Sequence, residues 1–397
     1  MVTYNTNFLR AYNQKSFSFR NYEVLSNKTL NVALYKNAYI LPYKETNDPN
    51  HIYAGVITEN GEYLDESAFH EHIGKAYLFS PNDISSINSC IYLGVIDNCW
   101  GHVITDAIKK TWYINKFNIK DGIFVYTTRY NKPLANHTLE ILSLAGIDTS
   151  RCIHIKTITK VKELILPDNS LYIENGQRFY TNEFKTTIFQ IKQTVLNKYT
   201  HKNLPTYKSI YFTRTKLNDW RDHGEHAIES AFEKKGFKII APEQLSPSEQ
   251  IYLLMNCEEF ATMSGSPAHS AEFCSAGTTF IDIRKADYWN TYQEVANHLA
   301  NLNVILIDAH KSSMVKPKAP WGGPFYIYKT KEFKRFFNKI PLVLPLLLRP
   351  TWLQYRYKEP LKDIYYRIRA KLGIKTNLTR INNFIKQYGI FKYKRYE

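Results

Sequence analysis

The sequence predicts an α/β protein of two successive halves, each built on a parallel sheet. Short apolar runs alternate with stretches of helical apolar spacing, first over residues 90–166 and again over residues 209–283. A link that contains Pro205 separates the two series. Alternation of strand and helix is typical of parallel sheets, because each helix returns the chain to the edge where the next strand begins.

The first half supplies the elements of the first predicted sheet. The apolar residues of His102–Phe117 recur every three to four positions, which predicts a helix with one buried face. Gly146 follows the helical stretch His137–Ala145 and is typical of a helix C-terminus. The predicted strands are Cys90–Val95, Gly122–Tyr126, Cys152–Ile155 and Glu163–Leu166, with strand-like pieces at Asn31–Leu34 and His51–Val56 in an otherwise irregular stretch over residues 1–85.

The second half opens with a polar-faced helix over residues 181–199. Its clearest local signal is Ser246–Glu249, where Ser246 can cap a helix, Pro247 fits the first turn and Glu249 can bond back to the cap amide. The predicted elements are strands at Ser209–Thr213, Phe237–Ile240, Phe260–Met263 and Thr279–Ile283, and helices at His226–Lys235, Ser246–Met255 and Ala268–Ser275. We therefore divide the chain into residues 1–180, 181–310 and 311–397.

Positive charge is concentrated in the last segment of the chain. Of the 52 Lys/Arg and 36 Asp/Glu of the chain, residues 311–397 hold 21 and 4, which leaves the rest almost neutral. This segment also carries aromatic, amphipathic pieces at Phe333–Phe337, Trp352–Tyr357 and Ile364–Leu372. The composition predicts a basic helical tail that contacts an anionic membrane surface. The alternative is that these pieces are solvated helices packed on the two halves.

The spacing of the cysteines and the length of the apolar runs indicate the cellular compartment of the protein. The five cysteines are scattered without a Cys-x-x-Cys pair, which argues against a disulfide scaffold or a zinc site and fits a reducing cytoplasm. The first residues lack the apolar run of a secretory signal. The apolar stretch Ile340–Leu348 contains two prolines and is too short to cross a bilayer, which takes about 20 apolar residues. We expect a cytoplasmic protein, peripheral on the inner face of the cell membrane.

The first candidate site is Gly101–Asp106, where a helix follows the strand Cys90–Val95. His102 and Asp106 are four positions apart and therefore share one helical face. A carboxylate can orient an imidazole and raise its pKa, so the pair predicts an acid/base couple. The alternative is that His102 is a helix cap and that Asp106 merely sits in the first helical turns.

Two further sites are candidates for phosphate binding. Arg214 follows the strand Ser209–Thr213, at the sheet edge where ligands bind in α/β folds, and Lys216 lies beside it. The turn after Phe260–Met263 can expose backbone N–H groups at the start of a helix. Its candidate residues are Ser264, Gly265, Ser266, His269 and Glu272. The alternatives are a solvated loop arginine and a tight turn that binds nothing.

The order of these three sites resembles glycosyltransferase family 61 over roughly residues 88–290. The matching pieces are Gly101-His102…Asp106, Phe212-Thr213-Arg214, and the run from Gly236-Phe237 through Ser246…Glu249-Gln250 to Ser264-Gly265-Ser266…His269…Phe273…Gly277-Thr278. Two positions depart from the family's pattern. Ser270 stands where many relatives have Asn, and Pro267 is unusual in that turn.

The resemblance implies a GT-B-like fold, in which two Rossmann-like lobes with parallel sheets face each other across a cleft. Residues 1–180 would be the acceptor-side lobe and residues 181–310 the nucleotide-sugar-binding lobe. The resemblance also implies inverting chemistry without a metal, with a UDP-linked nucleotide sugar as co-substrate and no other cofactor. The expected acceptor is a capsular or lipid-linked surface glycan. The implied site residues are Asp106 and His102 for catalysis, and Arg214, Lys216, Ser264, Gly265, Ser266, His269 and Glu272 for donor binding.

Two other classes of function are alternatives. The positive charge would suit a nucleic-acid-binding protein, but it is confined to the tail and no nucleic-acid-binding motif accompanies it, so we expect no nucleic-acid partner. A chain of this fold without activity would be a scaffold of a polysaccharide assembly complex. Failure to bind any nucleotide or nucleotide sugar would favour the scaffold.

Overall fold

The computed structural model describes residues 7–12, 23–48, 50–70, 73–80, 84–119, 121–202, 204–217, 222–288, 290–311 and 325–340, together with residues 342, 343, 345, 348 and 352. The described strands are β1 (Asn7–Tyr12), β2 (Leu25–Ser26), β3 (Val32–Lys44), β4 (Ile52–Ile57), β5 (Gly74–Lys75), β6 (Ser85–Ile96), β7 (Phe124–Thr128), β8 (Cys152–His154), β9 (Thr159–Pro167), β10 (Leu171–Glu174), β11 (Gln177–Thr181), β12 (Ser209–Phe212), β13 (Asp222–His223), β14 (Lys238–Ile240), β15 (Glu259–Met263), β16 (Thr279–Arg284), β17 (Asn303–Asp308), β18 (His310–Lys311) and β19 (Phe325–Ile327). The described α-helices are α1 (Trp100–Val103), α2 (Trp112–Phe117), α3 (Asn136–Leu144), α4 (Asn182–Tyr199), α5 (Glu225–Glu233), α6 (Pro247–Met255), α7 (Ser266–His269), α8 (Tyr292–Leu299) and α9 (Lys331–Phe336).

The first half forms a seven-stranded sheet of order β5-β4-β3-β9-β6-β7-β8. Its strands β6 to β9 pair in parallel, as the alternation of strands and helices predicts. Strand β3, however, pairs antiparallel with both β4 and β9, so the sheet is mixed rather than parallel. The first residues of β3 alternate between exposed and half-buried positions. This pattern is typical of an antiparallel strand with one wet face.

The second half forms a six-stranded sheet of order β1-β17-β16-β15-β12-β14, and every pair in it is parallel. Strands β15 and β16 are buried after their first residue, as expected for a sheet covered on both faces. The edge strand β1 comes from the start of the chain, with Asn7 paired to Asn303. The predicted division at residue 180 therefore separates β1 from the sheet in which it lies.

Two predicted helices are shorter than the apolar spacing indicates. The predicted helix His102–Phe117 is divided into α1 and α2, with turns between them, and the backbone N–H groups of Asp106 and Ala107 both donate to the His102 carbonyl. The predicted helix Ala268–Ser275 is α7 followed by a 3-10 helix at Ser270–Phe273. Most of the apolar positions are buried in both places, so apolar spacing alone did not reveal the interruptions.

A small hairpin of β10 and β11 stands between the two large sheets. Its turn is Asn175-Gly176, and both residues have positive φ angles, 50° and 73°. Asn-Gly in this conformation is typical of a tight two-residue hairpin. Strand β11 also pairs in parallel with β2. The sequence analysis did not predict this hairpin.

The two halves share one apolar core. A single cluster of buried side chains includes Val103 and Ile104 from the first half, Phe184 of α4, and Phe260 and Phe273 from the second half. Helix α6 packs against α3 and α4, and its predicted capping box between Ser246 and Glu249 is present. Burial across the boundary therefore fixes helices of the first half against the second half.

The tail is described only in part. Of the three predicted amphipathic pieces, Phe333–Phe337 overlaps α9, and Phe333 and Phe337 are buried against the second sheet. The aromatic side chains of this piece therefore pack on the protein, as the alternative interpretation held. Trp352 is buried beside Tyr326, while the rest of Trp352–Tyr357 and all of Ile364–Leu372 lie outside the described residues. In the described parts of the chain, we find no helix whose length and apolar character would let it span a membrane.

Candidate functional site

The first candidate site lies just beyond the carboxyl end of β6. The chain leaves this strand through Asp97, whose carboxylate accepts the Cys99 N–H at 2.8 Å, and then enters α1. His102 is half-exposed and Asp106 is buried. His102 Nδ1 lies 2.8 Å from Asp106 Oδ2. The contact predicted from the four-residue spacing is therefore present.

Asp106 also contacts three further donors. Its Oδ2 accepts the Thr105 hydroxyl at 2.9 Å, and its Oδ1 lies 3.3 Å from His70 Nδ1 and 3.7 Å from Lys109 Nζ. Burial opposes ionisation of Asp106, but the imidazoles of His70 and His102 and the Lys109 charge outweigh it and hold its pKa well below the usual range. Asp106 is therefore a stable anion that orients its neighbours.

His70 was missed by the sequence analysis. It lies between β4 and β5, in the stretch over residues 1–85 that seemed irregular, and its ring is 5.5 Å from that of His102. Burial lowers the pKa of His70 although Asp106 acts in the opposite sense, so His70 is neutral near pH 7. No pattern in the sequence links a single histidine in a loop to a carboxylate 36 positions later.

The third candidate site is the turn that leads from β15 into α7. The Ser264 N–H donates to the Ile283 carbonyl at 2.9 Å, and its hydroxyl donates to Asp282 at 2.8 Å. Because both groups already bond to the protein, Ser264 does not offer the free amide that a phosphate cradle requires. Gly265 has a φ of 124°, a conformation that glycine adopts without strain.

His269 is buried in α7 and bonded through both ring nitrogens. Nδ1 lies 3.0 Å from Gln293 Oε1, and Nε2 lies 3.1 Å from Asn290 Nδ2. These partners fit a neutral ring that donates from Nδ1 and accepts at Nε2. Burial lowers the pKa of His269 to about 3. His269 therefore carries no positive charge for a phosphate.

Glu272 lies behind α7 rather than beside a free surface. It is 1% exposed, and one of its carboxyl oxygens accepts the Tyr292 hydroxyl. Burial raises its pKa well above the usual range, so the group is neutral. A buried carboxyl that accepts a tyrosine hydroxyl attaches α8 to the 3-10 helix after α7, and a role of Glu272 in donor binding stays a prediction.

The second candidate site surrounds Arg214, just after β12. Arg214 Nη1 lies 2.8 Å from Asp222 Oδ2, and Lys285 Nζ lies 3.0 Å from the same oxygen. Glu225 accepts the Arg214 backbone N–H at 3.0 Å. Burial and the Asp222 charge raise the pKa of Glu225 to about 7. Lys216 is exposed at the surface beside this cluster.

Asp222, Glu225 and Lys285 were also missed. Lys285 follows β16 in the same way as Arg214 follows β12, and the carboxyl ends of neighbouring parallel strands meet at one edge of a sheet. This rule was available from the sequence for Lys285. Asp222 lies in β13, a two-residue strand that has no sequence signal.

Helix α7 connects the first site to the second. A Cβ added to Gly101 would lie 3.0 Å from Ser266 Oγ and 3.4 Å from a carbon of the His269 ring, so α1 packs directly on α7. A Cβ added to Gly265, at the other side of the turn, would lie 3.8 Å from Lys285 Nζ. The three motifs found in the sequence are thus neighbours in space.

Trp100 adds a polar bond to this contact. Its indole N–H donates to the Ser270 hydroxyl at 2.8 Å. Ser270 is one of the two positions at which the chain departs from the pattern of family 61. The serine is therefore accommodated here by a direct bond from the first half to the second.

Arg178 of β11 is a further cation near the first site. Its Cζ lies 5.8 Å from the centre of the Tyr292 ring, and the ring of Tyr292 is 4.9 Å from that of His269. Its positive charge lowers the pKa of His70 and adds to the lowering in His269. The sequence analysis did not single out Arg178, because it belongs to the hairpin that was not predicted.

A metal ion is one group that the first site could hold. Among the described residues, His70, His102 and Asp106 offer ligand atoms that all lie within 4.8 Å of one another. The two imidazoles, however, already bond to the carboxylate, and the ammonium group of Lys109 lies 3.7 Å from it. The negative charge of Asp106 is thus balanced by protein groups. That the reaction needs no metal remains a prediction.

Two cavities lie elsewhere on the first half. They have volumes of about 360 and 560 Å³ and are both lined by Asn118 and Ile119, at the end of α2. Neither is lined by a residue of the three motifs. The candidate site is therefore identified by its side-chain chemistry.

Comparison with known proteins assigns a family to this arrangement. No curated protein matches the chain. The family model described as Glycosyltransferase 61 matches residues 100–281, a region that contains the His102–Asp106 pair, Arg214 and the turn into α7. Residues 100–281, which carry all three motifs, are therefore similar to glycosyltransferase family 61, and this match supports glycosyl transfer as their general chemistry.

Proposed function

We propose that this chain is an inverting glycosyltransferase that moves a sugar from a UDP-linked donor to a capsular or lipid-linked surface-glycan acceptor. The observation that supports it best is the His102–Asp106 pair, which packs through α1 against α7 of the other half. An acid/base couple at the meeting point of two α/β halves suits the reaction between an acceptor bound on one side and a donor bound on the other.

His102 is the base in this proposal. With Nδ1–H donated to Asp106, the other ring nitrogen of His102 carries a lone pair, and the His102 side chain is 31% exposed. It accepts the proton of the acceptor hydroxyl as that oxygen attacks the anomeric carbon and the bond to the nucleotide phosphate breaks. Attack from the face opposite the leaving group inverts the configuration. Asp106 holds the ring and stabilises the imidazolium that forms.

Within the predicted acid/base couple, the other candidate for the base is Asp106 itself. The Asp106 side chain is 4% exposed, both of its oxygens have protein donors, and its pKa is held well below the usual range. An acceptor hydroxyl could reach it only by displacing those donors. Histidine has an ordinary pKa near 6.5 and is better matched to proton transfer near neutral pH.

For the nucleotide we propose the carboxyl-end edge of the second sheet, in a GT-B-like arrangement of the two halves. Arg214 and Lys285 lie at that edge, where nucleotides bind in parallel α/β sheets. Both cations share Asp222, so the cluster has a partly balanced charge before any ligand arrives. Its carboxylates can also accept hydrogen bonds from ribose hydroxyls.

We also propose that the protein works at the inner face of the cell membrane. Ile340, Leu342 and Leu348 are 80%, 74% and 65% exposed, next to the exposed cation Lys339. Exposed apolar side chains within a strongly basic segment suit an anionic lipid surface.

The test of the catalytic proposal is a transfer assay with purified protein and a panel of UDP-sugars. His102→Gln should lower kcat by about 100-fold or more, since a general base contributes about that factor. The matched control is His201→Gln, because His201 is exposed just after α4 and belongs to none of the three motifs. Near-normal kcat in His102→Gln would refute His102 as the base, and absence of binding to any nucleotide would favour a scaffold.

A further inference from the structure

One face of the hairpin formed by β10 and β11 points toward the candidate site. Side chains alternate along a strand, so Arg178 and Tyr180 lie on the same face of β11. The Tyr180 hydroxyl is 2.5 Å from His298 Nδ1, which attaches this face to α8. Tyr292, the ring that Arg178 approaches, lies at the other end of the same helix. The hairpin thus holds Arg178 beside α7 and α8.

Among the described residues, four groups whose pKa the charge of Arg178 shifts belong to this corner of the protein. They are His70, His269, Tyr288 and Tyr292. His70 is 3.3 Å from Asp106, which in turn bonds to His102. Arg178 approaches Tyr292, Tyr292 lies against the His269 ring of α7, and α7 packs on α1, so Arg178 lies on the side of α7 that connects to the helix of His102.

The other cations near the site have protein counter-charges. Lys109 is 3.7 Å from Asp106, Arg214 and Lys285 share Asp222, and Arg284 is 3.3 Å from Asp308. Arg178 is half-buried, and none of the carboxylates that the structure describes pairs with it. Partial burial of a guanidinium without a counter-charge is unfavourable, and an anionic ligand would remove that cost.

We propose that Arg178 is a phosphate-binding cation in addition to Arg214 and Lys285, and that it holds a phosphate group of a substrate on the His102 side of the site. The guanidinium group suits phosphate because its N–H donors form two parallel bonds to phosphate oxygens. The neighbouring His70 and His269 are neutral, so Arg178 supplies the positive charge on that side. The assignment of the bound group to a reaction rests on the proposed function, whereas the phosphate site itself does not.

Two substrates could bring this phosphate group. One is the diphosphate of the nucleotide donor, whose negative charge grows as the sugar leaves and which Arg178 would stabilise. The other is the phosphate of a lipid-linked acceptor. The binding chemistry is the same for both, and probes that differ in the rest of the molecule distinguish them.

The experiment measures binding of uridine, UDP, inorganic phosphate and pyrophosphate to the full chain by calorimetry. The variants are Arg178→Gln, which removes the charge, and Arg178→Lys, which keeps it without the planar fork. The control is Arg151→Gln, because Arg151 pairs with Asp121 at 3.0 Å on the surface of the first half. Arg178→Gln should weaken pyrophosphate binding at least tenfold, Arg178→Lys less, and the control not at all.

The effect of Arg178→Gln on the binding of UDP shows which substrate carries the phosphate group. If Arg178→Gln weakens UDP about tenfold and leaves uridine unchanged, the group is the donor diphosphate. If it weakens phosphate and pyrophosphate but leaves UDP unchanged, the group belongs to the acceptor. Equal binding of phosphate and pyrophosphate by Arg178→Gln and wild type, or no binding of either by wild type, would overturn the proposal. Failure of the catalytic proposal is recognised separately, by normal kcat in His102→Gln.

Discussion

Two buried carboxylates of the site have opposite pKa shifts, and the difference lies in their neighbours. Asp106 is surrounded by donors from His70, His102, Thr105 and Lys109, which favour its ionised form. Glu225 is equally buried but faces the negative charge of Asp222. Burial therefore does not by itself decide ionisation; the charge of the nearest partner does.

From the raised pKa of Glu225 we predict how the free energy of unfolding depends on pH. Its pKa is about 7 in the folded protein and near 4.5 in an unfolded chain, so its contribution is fully present below about pH 4.5 and is lost as the pH rises through 7. The isosteric Glu225→Gln variant stays neutral and should lack this loss. Urea unfolding at pH 5 and pH 8 should therefore give a free energy of unfolding that falls by about 1–3 kcal/mol more in wild type than in the variant.

The control for this comparison is Glu258→Gln. Glu258 is 69% exposed and pairs with Lys208 at the surface, so its variant should behave as wild type between the two pH values. An identical pH dependence in wild type and Glu225→Gln would show that Glu225 is ionised throughout.

At the scale of elements, the site depends on the packing of α1 against α7. These are four-residue helices from different halves, joined by the Trp100–Ser270 bond and by the close approach of Gly101 to Ser266. Glycine permits the approach because it has no side chain. The separation of His102 from α7 thus depends on one glycine.

Gly101→Ala should push α1 away from α7 and lower the rate of transfer by about tenfold, since small misplacements of a catalytic group are costly. Its added Cβ would lie 3.0 Å from Ser266 Oγ and 3.3 Å from Ser266 Cβ. The double variant Gly101→Ala/Ser266→Gly removes both of these atoms and should recover part of the rate. We would measure kcat and the melting temperature of the three proteins. A rate equal to wild type in Gly101→Ala would mean that the two helices move apart freely.

At the scale of the whole molecule, two sheets of different character are joined through helices that share one apolar cluster. The seven-stranded sheet is mixed and the six-stranded sheet is parallel, and apolar side chains of both halves belong to a single cluster. The tail adds a third region, with exposed apolar residues at 340, 342 and 348 after α9. The charge excess of the chain is also in this segment.

Because the tail combines positive charge with exposed apolar residues, we expect the protein to bind vesicles that contain anionic lipid. The full chain should co-sediment with such vesicles and not with zwitterionic ones, and high salt should release it. Replacing Ile340 and Leu342 by Asp should weaken binding severalfold, because both apolar contact and charge are lost. Leu78→Asp is the control, since Leu78 is 96% exposed elsewhere. Binding that is independent of lipid charge would contradict the prediction.

Much of the fold could be predicted from the sequence, because the signals concerned are local. The capping box at Ser246 and the strands near 90–96, 124–128, 259–263 and 279–284 depend on neighbouring residues. The antiparallel strand β3 and the edge strand β1 depend on partners far along the chain, so their pairing could not be predicted. The helix breaks after Val103 and His269 likewise have no signal in the apolar spacing.

By itself, the sequence determined the α/β class, the order of the three motifs and the contact between His102 and Asp106, since each follows from spacing along the chain. Only the tertiary structure decided the chemical state of the site. It brought His70 to Asp106, enclosed His269 as a neutral ring, gave Arg214 a carboxylate partner and left Arg178 beside Tyr292 without one among the described residues. The physical reason is that ionisation depends on burial and on charges within a few ångströms, and these come from residues that are distant in the chain.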